Sequence, residues 1–138
     1  MITKGLWAGT VSGLVLGLYM WAAEEITGLK VYTLLMNVDF VPLLQGIEWP
    51  WFMEWLFHMS IAWTIGIVYA YLLAKMSENK TITRWVTAGG LAFLAALSYI
   101  PLTLLAVKQT PSLTSGAAVF LWLIGHLLYA GSLRLACR

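Results

Sequence analysis

The 138 residues leave room for a single domain spanning 1–138, and at 61% hydrophobic and 10% charged, with a mean hydropathy of +0.83, they cannot cover a globular surface in water, where roughly a quarter of residues are charged. The net charge of +2 rests on singly placed basic residues, which excludes a phosphate-neutralising patch and with it nucleic acid as a partner. One cysteine, Cys137, excludes an internal disulfide and a cysteine-based metal cage.

Crossing the hydrocarbon core of a bilayer takes about 20 apolar residues at 1.5 Å each. Four stretches reach that length, over about 6–24, 51–74, 86–107 and 116–135, and predict an all-α bundle of four transmembrane helices with the lipid bilayer as its solvent. In the first, Lys4 ahead of an apolar run and the small pair Ala22 and Ala23 resemble a signal peptide. Against that stand Gly5, Gly9, Gly13 and Gly17, whose four-residue spacing draws one strip along a helix and lets a neighbouring backbone approach closely. A segment destined for removal needs no such face. Leu16 lies off the strip, whereas Glu24, seven residues from Gly17 and eleven from Gly13, falls within about 20° of it at 100° per residue.

The link 25–50 is too polar to span and too apolar to float in water, and reads as one or two short helices in the outer interface or folded over the bundle mouth. Trp49, Trp51 and Trp55 at its end suit an aromatic belt. The second stretch carries a small strip in Ala62, Gly66 and Ala70, which continues outward by fours to His58 and Glu54. A short turn, 76–85, leads to the third stretch, whose strip is Ala88, Ala92 and Ala96, followed by Ser98, Tyr99 and Pro101. Pro101 removes one backbone donor and leaves the Leu97 carbonyl without its usual partner. Another short turn, 108–115, precedes the fourth stretch, where Ala118, Gly125 and Ser132 form the small strip and His126 sits about 100° away beside Trp122 and Tyr129.

Orientation follows the basic residues. Lys4, Lys75, Lys80, Arg84, Arg134 and Arg138 fall on one side, and Lys30 and Lys108 on the other, so both termini are expected in the cytoplasm. Glu24, Glu25, Asp39, Glu48 and Glu54 then lie outside, and Glu78 inside.

Ionisable side chains within a membrane helix are costly and need partners. Glu24, Glu54, His58, Pro101 and His126 all fall in the outer half and form the candidate polar cluster. A proton-responsive group is one reading, because histidine titrates near neutrality and answers to burial and nearby carboxylates. Two histidines with two carboxylates would also suit a divalent transition metal, and two histidines on separate helices could ligate a haem iron. The structural alternative puts the carboxylates among headgroups and lets the histidines donate to backbone carbonyls. No P-loop, G-x-S-x-G, H-E-x-x-H or G-x-G-x-x-G is present, so nothing points to an enzyme, and no cofactor is specified. The glycine strip equally suits a homo-oligomer or an accessory subunit packed on a larger membrane partner.

Several of these residues occur in a sequential pattern. The chain opens G-L-W-A-G-T-V-S with Gly5, Gly9 and Ser12, continues with W-A-A-E ending in Glu24, and places His58 eleven residues before Tyr69. Ser98 to Pro101 follow late in the third stretch, and G-H-L, Gly125 to Leu127, with Ser132 in the fourth. In this order the chain resembles the YagU-like family of small bacterial inner-membrane proteins. The first outer link and Glu54 depart from the family pattern. The resemblance implies a multi-pass protein of the bacterial cytoplasmic membrane and draws attention to Glu24, His58, Pro101 and His126, without implying a reaction.

Overall fold

The computed structural model describes residues 1–76 and 80–137; Glu78 and Arg138, both used in the charge count, lie outside the described residues. Every regular element among them is helical: α1 (Ile2–Thr27), α2 (Val31–Met36), a 3-10 turn (Pro42–Leu44), α3 (Trp51–Lys75), α4 (Thr81–Ala96), α5 (Tyr99–Leu105) and α6 (Gly116–Ala136). Four helical spans, Ile2–Thr27, Trp51–Lys75, Thr81–Leu105 and Gly116–Ala136, are long and apolar enough to cross a membrane.

Helix α1 runs one turn past Glu24 because the chain finds its stop only at Gly28. There φ is 72° and the Gly28 N–H bonds the Glu24 carbonyl at 2.8 Å, the left-handed cap that glycine adopts without a Cβ penalty. The third span begins at Thr81 rather than 86 and is two helices, not one. At the join, Ser98 N–H turns to Ala95 O at 3.1 Å and Ile100 N–H to Leu97 O at 3.3 Å. The Leu97 carbonyl, expected to lack a partner because of Pro101, is thus taken up by a tighter i to i+3 turn.

Helix α1 is central, with α3 against one side and α6 against the other, while α4 lies on the far side of α6 and barely meets α3. The α1–α3 contact is antiparallel and built on backbone. A Cβ at Gly9 would stand 2.5 Å from the Ala62 carbonyl oxygen, one at Gly5 2.6 Å from Ile67 Cα, and one at Gly66 against the backbone of Gly5 and Gly9. Further out the same strip meets side chains, Gly13 facing Ala62 and Met59, and Gly17 facing the Trp55 ring. Trp63 Nε1 donates to Thr10 Oγ1 at 2.9 Å across this seam.

On the other side of α1, Leu16 is not peripheral. It is buried against Gly125 of α6 with Tyr19 and Met20, so α1 uses two faces where a small-residue strip marks only one. Helix α6 likewise buries Trp122, Gly125, His126, Tyr129 and Leu133, while Ser132 is only partly covered. Its inward face holds two of the three predicted small residues, Ala118 and Gly125, and widens to include the aromatic residues beside them. The alanine strip of α4 packs inward as expected, and Trp122 Nε1 donates to Ala96 O at 2.9 Å.

At one end of the bundle Arg84 Nη1 reaches the Cys137 carbonyl at 3.5 Å and the Arg134 guanidinium lies over the Trp85 ring. Leu14, Leu18, Ile61, Phe93, Phe120 and Leu127 point outward, the apolar exterior that a bilayer requires.

Candidate functional site

At the opposite end the link 25–50 folds over the bundle mouth. Val31 and Leu34 of α2 are fully buried, with Met36 and Val38 close behind, so the amphipathic link has become a lid. Glu24 holds it in place. Its Oε2 accepts from the Thr33 N–H and its Oε1 from the Thr33 hydroxyl, both at 2.8 Å, and Oε1 also meets Lys30 Nζ at 3.3 Å. The carboxylate thus engages a first-turn N–H of α2, which has no intrahelical partner.

A second attachment comes from residues the sequence pattern does not single out. Asp39 is 7% exposed, hydrogen-bonded through one oxygen to the Asn37 amide and through the other to the Lys108 backbone N–H at 2.7 Å. Lys108 Nζ in turn pairs with Glu54 at 2.7 Å. One residue therefore ties the lid, α3 and the end of α5 together. Tyr32 adds a further tie by accepting from Trp55 Nε1 at 2.9 Å. Burial pushes its phenol pKa above 10.0; the Trp55 bond opposes this, and the charges of Glu54 and Glu24 add to it.

Beneath the lid lies a cavity of about 280 Å³, lined by α1, α3, the α4–α5 span and α6 and including His58, Pro101, His126 and Tyr129. It opens sideways between α3 and the third span, where the lining residues Ile61 and Pro101 are exposed. His58 lies about 10 Å along α3 from Trp51. Its Nε2 bonds the Gly13 carbonyl at 2.9 Å, a carbonyl reachable because Gly13 presents no side chain. His126 Nδ1 bonds the Trp122 carbonyl of its own helix at 2.8 Å, and its ring leans on the Trp122 indole with centroids 4.8 Å apart. A carbonyl only accepts, so each imidazole donates, which assigns the tautomers and leaves His58 Nδ1 and His126 Nε2 as lone-pair acceptors. Tyr129 is 2% exposed; its hydroxyl sits beside Ser12 but outside hydrogen-bond geometry, since the Ser12 hydroxyl is turned to Ala8 O at 2.7 Å. A smaller groove between α4 and α6, about 260 Å³, has His126 as its polar wall residue.

Of the five predicted cluster residues the structure gathers three, His58, Pro101 and His126, at one cavity. Glu24 and Glu54 are engaged at the rim with Thr33, Lys30 and Lys108, so the two-histidine, two-carboxylate arrangement is not assembled. Among the described residues no three His, Cys, Asp or Glu side chains converge on a metal position. No family model, curated protein or solved structure matches this chain.

Proposed function

We propose that this chain is a non-enzymatic, multi-pass protein of a bacterial cytoplasmic membrane, with both termini inside, whose outer-half cavity holds a small, largely apolar molecule against two titratable imidazoles. The observation that carries the reading is that His58 and His126, on different helices, line one lidded cavity. The orientation is supported by the grouping of Lys4, Lys75, Lys80, Arg84 and Arg134 away from Lys30 and Lys108. The bacterial setting and the YagU-like relationship are supported by the order of the motifs from Gly5 to Ser132.

Proton linkage in this reading differs from a shared Glu–His proton. The lining residues include no carboxylate, lysine or arginine, so a proton on either ring would place a charge opposite only the other imidazole, Tyr129 and neutral groups, at considerable cost. Occupancy of the cavity and protonation of the rings are therefore coupled. Histidine NMR in micelles from roughly pH 4 to pH 9, bracketing the reference pKa of about 6.5, tests this. His58→Ala should shift the titration of His126, giving a non-additive double mutant, while Glu24→Gln should leave both rings unaffected. A His126 titration indifferent to His58→Ala would refute a shared site.

A further inference from the structure

The chemistry of the cavity wall narrows what it can hold. Each histidine has its donor nitrogen occupied by a backbone carbonyl, Gly13 O for His58 and Trp122 O for His126. The other nitrogen of each ring makes no hydrogen bond in the structure, and neither is among the sealed-off polar atoms; both rings line the cavity, and His126 also borders the α4–α6 groove. The site therefore offers two imidazole acceptors in a mainly apolar wall whose other polar members, Asn37, Ser98 and Tyr129, are all neutral. A cation would find no carboxylate there to offset its desolvation, and an anion no lysine or arginine. A neutral molecule with acceptor groups alone would leave both nitrogens unpaired, a cost that buried polar groups impose on ligands lacking the matching donor.

From these features we infer that the cavity binds a neutral amphiphile bearing hydroxyl donors on an apolar body, entering sideways from the membrane between α3 and α5. The inference rests on the cavity reading above and adds the ligand class. The side opening past Ile61 and Pro101 faces lipid in a membrane-embedded bundle, so a ligand need not cross the lid, and the volume of about 280 Å³ accommodates one ring or a short polar end rather than a whole two-chain lipid. The same donor chemistry exists in aromatic diols and in aliphatic diols of the glycerolipid type.

The probes are 4-hexylresorcinol and 1,2-dodecanediol, each paired with its own dimethyl ether, titrated into the full chain in nanodiscs and read by the histidine ring NMR signals, with empty nanodiscs correcting for partition. At least one diol should bind about 10-fold more tightly than its diether, and His126→Phe should reduce that preference without removing it, because His58 still accepts. Whichever diol shows the preference identifies the source as aromatic or aliphatic. Equal binding of diols and diethers would overturn the donor inference and leave the cavity reading intact. If none of the four moves either histidine signal, both fall. The diol–diether comparison uses the unaltered protein and so does not depend on a variant folding.

Discussion

Replacing Gly9 by alanine adds one methyl group at a point of close backbone approach in the α1–α3 seam, and its effect can be worked from the geometry. The new Cβ would lie 2.5 Å from Ala62 O and 2.8 Å from Trp63 Cα, both backbone atoms that no rotamer change can move. Ordinary contact begins near 3.4 Å, so the helices must part locally by about 0.9 Å. Overpacking of this kind costs about 1–3 kcal/mol, and the separation also stretches the Trp63–Thr10 and His58–Gly13 bonds, each worth about 1 kcal/mol. Against this, alanine gains about 0.5–1 kcal/mol over glycine within a helix. The expected net loss is about 1–2 kcal/mol. Gly90 on α4 is the control, since a Cβ there meets nothing within 4 Å, and Gly90→Ala should be neutral or slightly stabilising. Reversible unfolding in mixed micelles, followed by tryptophan fluorescence, compares the two. Equal shifts of the same sign would show that backbone proximity does not hold α1 to α3.

The two attachments of Lys108 should differ in weight. Asp39→Ala strands a backbone N–H that now meets a buried carboxylate, a bond worth about 1.5–3 kcal/mol, and should raise hydrogen exchange across 37–50. Glu54→Gln weakens a pair whose lysine is 44% exposed and should change exchange little, at under about 1 kcal/mol; the reverse ranking would refute this account of the lid. Tyr32 supplies a pH dependence. Its folded-state pKa is raised, so its neutral form is favoured by folding, and that contribution is complete below about pH 10 and lost as pH rises through the folded value. Lid exchange should therefore increase in strongly alkaline solution, and Tyr32→Phe should remove that increase.

Much of the architecture was legible because lipid imposes simple rules. Length and apolarity marked the four spans, and the spacing of Gly5, Gly9 and Gly13, and of Ala62 and Gly66, marked a packed face on α1 and on α3 without saying that the two meet. The second face of α1 was hidden because Leu16 and Met20 pack there as large side chains filling space over Gly125, and apolar residues look alike whether they meet protein or lipid. For the same reason the small residues Ala118 and Gly125 marked only part of the inward face of α6, which Trp122, His126 and Tyr129 complete. The site was half legible. Helical periodicity could align His58 with the packed face of α3, but it could not show that Glu24 and Glu54 turn sideways to partners nine residues and 54 residues away. Asp39 escaped notice because its role depends on the backbone N–H of Lys108, a contact across 69 residues that no local pattern encodes.

The break at Leu97 and Ser98 separates α4 from the short α5, which is seated by Tyr99 against Trp122 of α6 and by the lid. Just beyond α5, the main chain at Lys108 is fastened to Asp39 in that lid. The cavity's side wall and its roof are thereby tied to one another through a single backbone hydrogen bond. Neither the wall nor the cover can shift alone without breaking that bond, so the two form one mechanical unit.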